Sequence, residues 1–338
     1  MSTPTIGLLS GDATGIGPEV IAKLFSQPDV LNLAKVVLIG DERVFQEGCR
    51  IAKCPFAYTR ITDPSEIDSL DQPLLLLDRQ HIDPAETSLG KVNAHVGKMV
   101  LEDFKLAMDL TSNRQLHALC FAPLNKQALR AGGNPFEDEL HFFANHLGVT
   151  DFFCEINVMD DIWTTRATSH VALRDIFDLL TRDRIYQAIY MADHAMKQAG
   201  HHQADILVSA LNPHGGENGL FGDEESTLIL PAIQQAQKAG IRASGPFPAD
   251  TIFLKIQAKS GVGVVSMYHD QGQVALKLMG FKRGVTVQGG LPIPITTPAH
   301  GTAFDIVGKG IADAQGMRLA FDLAVKMGKK RMGFSGHK

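Results

Sequence analysis

Three histidines each follow an apolar run of strand length: His170 after Trp163 to Thr168, His214 after Ile206 to Ala210, and His269 after Val262 to Met267. A buried strand that ends in a polar residue delivers that residue to the carboxyl edge of an open α/β sheet, where ligands bind. One such histidine is more often a hydrogen-bonded structural residue, so the combination carries the reading. Three neutral imidazoles that leave one coordination position open form a catalytic divalent-metal site, whose ion polarises a carbonyl or alkoxide oxygen. Asp250, which closes the stiff stretch Ser244 to Asp250, and Asp270, beside His269, are then candidates to orient the ligands or to move protons.

Two glycine-rich blocks could cradle a second ligand. Pro298 to Asp313 has flexible glycine turns on either side of a polar cluster, as backbone wrapped closely on a ligand requires. Gly11 to Glu19 lies between a short apolar strand and the amphipathic run VIAKLF. Pro18 suits the first turn of that helix, whose N-terminus can face an anion. The glycine spacing is neither a Walker loop nor a Rossmann fingerprint, and a plain strand-to-helix turn explains it equally well.

The elements that must position these residues alternate in type. Apolar runs at Thr5 to Ser10, Lys35 to Gly40, Pro73 to Leu77, Ala118 to Ala122 and Phe152 to Val158 join the three strands above, with helical stretches at Gly97 to Leu110, Asp183 to Gln198, 224 to 239 and Met317 to Lys330. This is the signature of repeated βαβ units. At 338 residues the chain exceeds one hydrophobic core, and two domains are expected. A crossing is placed at Gly132-Gly133-Asn134-Pro135, giving domains 1–133 with 271–338, and 134–270. The net charge of -5 supplies no basic surface for nucleic acid. No signal peptide or spanning apolar run is present, so a cytoplasmic protein is expected. Cys49, Cys54, Cys120 and Cys154 form no Cys-x-x-Cys pair and read as reduced and structural.

The blocks GDATGIGPE, LNPHGGENG, GPFPADTIF, MYHDQGQVALKLMGF and HGTAFDIVGKG, in this order from residue 10 to about 330, resemble the 4-hydroxythreonine-4-phosphate dehydrogenase family. The last block also resembles the adenosine-binding loop of isocitrate and isopropylmalate dehydrogenases. The resemblance implies an α/β, two-domain isocitrate/isopropylmalate dehydrogenase-like fold with the active site in the interdomain cleft. It further implies a homodimer and metal- and NAD-dependent oxidative decarboxylation of a small molecule. By the same resemblance His170, His214 and His269 are the metal ligands, with zinc the expected ion, and Asp250 and Asp270 are acids near the metal. Lys277 is the substrate-binding lysine, also a candidate for proton transfer. The stretch Gly290, Leu291 and Pro292 to Thr297, and His300, Gly301 and Thr302 with Asp305, hold the nicotinamide and adenosine ends of NAD.

The chain departs from the family at the far end of the substrate. A Gly-His-Thr-Glu motif aligns with Asp138 to His141, so Glu139 takes the histidine position, while an asparagine becomes Thr286 and an arginine becomes Ile295. Losing a bidentate phosphate donor and gaining a carboxylate disfavours a phosphate. The expected substrate is therefore that of the terephthalate dihydrodiol branch, a cis-dihydrodiol dicarboxylate giving 3,4-dihydroxybenzoate in aromatic catabolism. Glu139, His141, Lys277, Thr286 and Ile295 would contact it. The alternative is 4-hydroxythreonine 4-phosphate or D-threonate or D-erythronate 4-phosphate. An inactive NAD- or metal-binding sensor is the reading of another class.

Overall fold

Residues 3–256, 259–280 and 283–333 are described by a computed structural model. Continuous runs of Val, Ile and Leu with no polar alternation suit strands covered on both faces, and such runs form parallel sheets. The first unit, residues up to Thr150 with those from Leu291, bears this out. Its strands are β1 (Thr5–Leu9), β2 (Lys35–Gly40), β3 (Thr59–Ile61), β4 (Leu74–Asp78) and β5 (Ala118–Phe121). The second unit, Asp151–Gly290, holds β6 (Cys154–Met159), β7 (Ile162–Arg166), β8 (Asp205–Ser209), β9 (Ala243–Phe247), β10 (Val262–Ser266) and β11 (Val285–Gly289). The chain then returns to the first unit with β12 (Ile295–Pro298).

In the first unit the strand order is β3-β4-β2-β1-β5-β12, every pair parallel. Helices Ala94–Ser112 and Gln315–Gly333 pack on its central strands. Helix Glu139–His146 belongs here because Phe143 is fully buried against Phe104 and Phe121, with ring centroids 4.8 and 5.9 Å away. In the second unit the order is β11-β6-β7-β10-β8-β9. The β6 strand runs antiparallel to both neighbours, while β7, β10, β8 and β9 are mutually parallel. Helix His269–Gly280 joins this unit through Leu276, Ala275 and Met279, which pack with Met159, Ile162 and Phe253. The units thus divide after Thr150 and after Gly290, whereas the glycine-proline cluster places the crossings after residues 133 and 270. Gly132 closes helix Lys126–Ala131 within the first unit and separates no cores.

Most expected elements occur within a residue or two of their predicted ends. Ser244 to Phe247, the start of the stiff stretch that Asp250 closes, is part of edge strand β9, where prolines are tolerated. The strands β3, β11 and β12 are too short or too polar to stand out by pattern. Pro231 is accommodated because a π-turn over Glu225–Ile229 precedes it, placing it in the first turn of helix Leu230–Lys238, where its missing N–H costs nothing. Among the described residues no helix is long and apolar enough to cross a membrane. Cys120 is fully buried, and burial pushes its thiol up to about 12. Replacing Phe143 by Ala is expected to cost about 3–5 kcal/mol through the cavity left between Phe104 and Phe121, read as a lower denaturant midpoint for unfolding.

Candidate functional site

Parallel pairing in the second unit settles where the histidines go. Ser266 of β10 pairs with Arg166 of β7, Val265 with Val208 of β8, and Ser209 of β8 with Phe247 of β9. All four strands therefore end at one edge of the sheet, β7 leading to His170, β10 to His269, β8 to His214 and β9 to Asp250. His170 and His269 lie together, with ring centroids 5.6 Å apart, and line a cavity of ≈ 330 Å³ with Thr168, Tyr268 and Asp270. His214 sits on the adjoining turn Pro213–Gly219, its ring 6.5 Å from that of Phe221. Asp250 is exposed in the short helix Ala249–Ile252, which packs against that turn.

The imidazoles are suited to a metal ion in their chemistry. His269 donates from Nδ1 to Asp270 Oδ1 at 2.7 Å, which leaves Nε2 able to serve as a ligand nitrogen. Among the described residues, no protein hydrogen bond engages the ring of His170 or His214. The three rings share an edge without closing into a coordination sphere. The one group of described side chains with ligand atoms within 4.8 Å of one another is Glu137, Asp138 and His141. Helix capping accounts for that group: Asp138 Oδ1 accepts the His141 backbone N–H at 2.9 Å and its Nδ1–H at 2.7 Å.

Two supporting residues escaped the sequence reading. Arg166, only 5% exposed, donates to Ser169 Oγ at 2.9 Å, Asn157 Oδ1 at 2.7 Å and Glu155 Oε2 at 3.1 Å. Asn157 in turn donates to Thr286 Oγ1 at 3.3 Å, and its Oδ1 also accepts from Gln273 in the helix that starts at His269. A guanidinium thus ties the loop before His170 to the helix behind His269. A charged residue at the end of an apolar strand was the available signal. Glu225 is the other, and no sequence pattern marks it, since acids are common in a first helical turn.

The remaining predicted site residues are spread over both units. Lys277 is exposed on helix His269–Gly280. Thr286 lies buried in β11 and is engaged by Asn157. In the first unit Ile295 is fully buried in β12, where it pairs with Leu119 of β5. Glu139 is 12% exposed and faces Lys126 Nζ at 3.9 Å. Gly290 turns the chain at a φ of 90°, Leu291 is buried and Pro292 is exposed. Thr297 donates its hydroxyl to Phe121 O at 2.9 Å.

The loop with His300, Gly301, Thr302 and Asp305 is fastened to the Gly11-to-Glu19 turn. Ile16 donates its N–H to Thr302 O at 3.1 Å, and a Cβ on Gly15 would lie 2.8 Å from Thr302 Cβ. Between them lies a crevice of ≈ 50 Å³, lined in part by Ala13, Gly15, Glu19, Leu89, Val307 and Gly308. Asp12 beneath the turn is buried, which raises its carboxyl above the ordinary range against the hydrogen bonds from Thr14.

The fold class is the two-unit α/β type of isocitrate and isopropylmalate dehydrogenases. A β-decarboxylating dehydrogenase of Thermococcus kodakarensis shares that fold at 17% identity and a TM-score of 0.51, over 94% of this chain and 82% of that one. The chain belongs to the family described as pyridoxal phosphate biosynthetic protein PdxA, which matches residues 32–324. It is 49% identical over 332 residues to a Pseudomonas aeruginosa protein provisionally named 4-hydroxythreonine-4-phosphate dehydrogenase 2, covering 98% of each. It is 35% identical over 325 residues to an Oceanobacillus iheyensis protein provisionally named D-threonate 4-phosphate dehydrogenase, covering 96% and 98%. The crystal structure of a 4-hydroxythreonine-4-phosphate dehydrogenase from Burkholderia phymatum matches at 33% identity and a TM-score of 0.82, over 97% and 99%.

These relatives overturn the terephthalate dihydrodiol expectation, and with it aromatic catabolism. The terephthalate 1,2-cis-dihydrodiol dehydrogenase of Burkholderia xenovorans is 24% identical at a TM-score of 0.68, over 96% and 98%, a likeness of fold alone. The charge argument behind that expectation also loses its footing. Ile295 is sealed in a sheet, and Glu139 is largely buried opposite a lysine. Asp270→Asn is expected to weaken divalent-metal binding about 10-fold by removing the charged acceptor that fixes the His269 ring, measured by chelator competition on the folded protein.

Proposed function

We propose that the protein is a metal- and NAD-dependent dehydrogenase acting on a secondary alcohol of a phosphorylated four-carbon hydroxy acid, of the 4-hydroxythreonine 4-phosphate or D-threonate 4-phosphate type. The observation that carries the reading is the gathering of His170, His214 and His269 at one strand edge, in a chain whose full-length relatives bear those names. Bound there, a divalent ion would polarise the alcohol oxygen as a Lewis acid while NAD takes the hydride. Three imidazoles suit zinc, and other divalent ions are compatible.

The chain's own residues handle protons and charge. Asp250, exposed beside the His214 turn, would accept the hydroxyl proton. Asp270 holds the His269 ring, and Lys277, on the same helix, would pair with an anionic group of the substrate. Oxidation of a hydroxyl β to the carboxylate gives a β-keto acid, which loses carbon dioxide to an enolate. Cationic groups stabilise that developing charge. The His300-to-Asp305 loop and the Gly11-to-Glu19 turn would hold the dinucleotide.

A second copy of the chain is part of the reading. Leu173, Phe177, Leu220 and Leu278 are 68%, 65%, 72% and 84% exposed in the second unit. Leu173 lines the His170–His269 cavity, and a second copy would cover this exposed apolar surface.

NADH formation is expected with the phosphorylated hydroxy acids, lost on chelation and restored by Zn2+, Co2+ or Mn2+, with none from a cis-dihydrodiol dicarboxylate. Binding of NAD without turnover of any phosphorylated substrate would instead support the sensor reading. Gly15→Ala, which forces a Cβ onto Thr302, is expected to raise the KM for NAD several-fold while leaving metal affinity unchanged.

A further inference from the structure

The turn that carries His214 has backbone of an uncommon kind. Five consecutive residues, His214 to Asn218, have φ values of 54°, 69°, 79°, 42° and 56°, one turn of left-handed helix. Each non-glycine residue in that conformation costs roughly 1–2 kcal/mol, which asparagine partly escapes. Gly215 and Gly216 adopt it freely, whereas His214 and Glu217 do not. Strain of this order persists where surrounding structure over-determines it.

Glu225 supplies the over-determination. It is 7% exposed at the start of the π-turn, and Oε1 accepts the backbone N–H groups of Leu211 at 2.9 Å and Asn212 at 2.7 Å. Its other oxygen accepts Asn212 Nδ2 at 3.0 Å, and Glu224 Oε2 accepts the same amide at 2.6 Å. The turn then closes over the carboxylate: a Cβ on Gly216 would lie 2.7 Å from Glu225 Oε2. Burial raises the Glu225 carboxyl, but the donations from Asn212 and Leu211 outweigh it and hold the group below the usual range.

We propose that Glu225 is a positioning residue for His214, its buried carboxylate anchoring the backbone of Leu211 and Asn212 and so fixing the left-handed turn that presents the imidazole. Charge matters as well as shape. A glutamine could still accept both backbone N–H groups, yet its amide would set donor against donor at Asn212 Nδ2. The inference rests on the reading of His214 as a metal ligand, and the test separates the two.

Co2+ affinity is measured by chelator competition on the folded, full-length protein, together with the d–d absorption of the Co2+ form. Glu225→Gln is expected to bind Co2+ about 10–100-fold more weakly, with an altered d–d spectrum and a circular dichroism spectrum like that of the parent. Unchanged affinity and spectrum in Glu225→Gln, with weakened binding in His214→Ala, would overturn the role of Glu225 alone. Unchanged affinity in His214→Ala would remove the ligand reading itself. Should Glu225→Gln not fold, Glu225→Asp, which keeps the charge but draws the carboxylate back from the Leu211 and Asn212 N–H groups, decides the matter: a several-fold loss of affinity supports the role, and none overturns it.

Discussion

Parallel pairing of β7, β10, β8 and β9 is the constraint on which the candidate site depends. Parallel strands in register end at the same edge of a sheet, so four chain segments far apart in sequence emerge side by side. The antiparallel β6 provides the contrast. Its C-terminal end leaves at the opposite edge, where Asp160 pairs with Arg283 at 2.7 Å and Asp161 with His201 at 2.9 Å. Histidine and acid occur together there too, engaged in contacts that tie loops down. Strand direction, more than residue type, separates candidate ligands from structural pairs.

Stability and function meet in the loops beyond those strands. His170 and His214 both have positive φ, at 51° and 54°, in a region that ordinary side chains avoid. Each is followed or preceded by buried charge: Arg166 grips Ser169 next to His170, and Glu225 grips the backbone before His214. Buried polar networks of this kind are worth keeping only when fully satisfied, because an unpaired member carries the whole desolvation cost. Their presence behind exposed imidazoles holds the His170 and His214 loops in one conformation.

Reasoning about the substrate from aligned residue types went astray for a physical reason. Replacing an arginine by Ile295 looks like the loss of a phosphate donor only if position 295 faces the ligand, and here the side chain is fully buried. Replacing a histidine by Glu139 looks repulsive only if the carboxylate is bare, and Lys126 stands 3.9 Å from it. Electrostatic arguments depend on distance and exposure, neither of which a residue's identity supplies.

The sequence by itself determined the alternation of strands and helices, because continuous apolar runs and amphipathic periodicity are local properties. It also singled out His170, His214 and His269 as candidate donors, since imidazoles at strand ends stand out against apolar runs, and the family blocks read in order along the chain. Only the tertiary structure decided that β7, β10 and β8 run parallel as neighbours, that Ser244 to Phe247 pairs as an edge strand, and that the units divide at Thr150 and Gly290. It alone revealed Arg166 and Glu225 as supports. Those facts are pairings between residues distant in the chain, fixed by which hydrophobic faces bury one another and which buried polar groups find partners, and no local pattern encodes them.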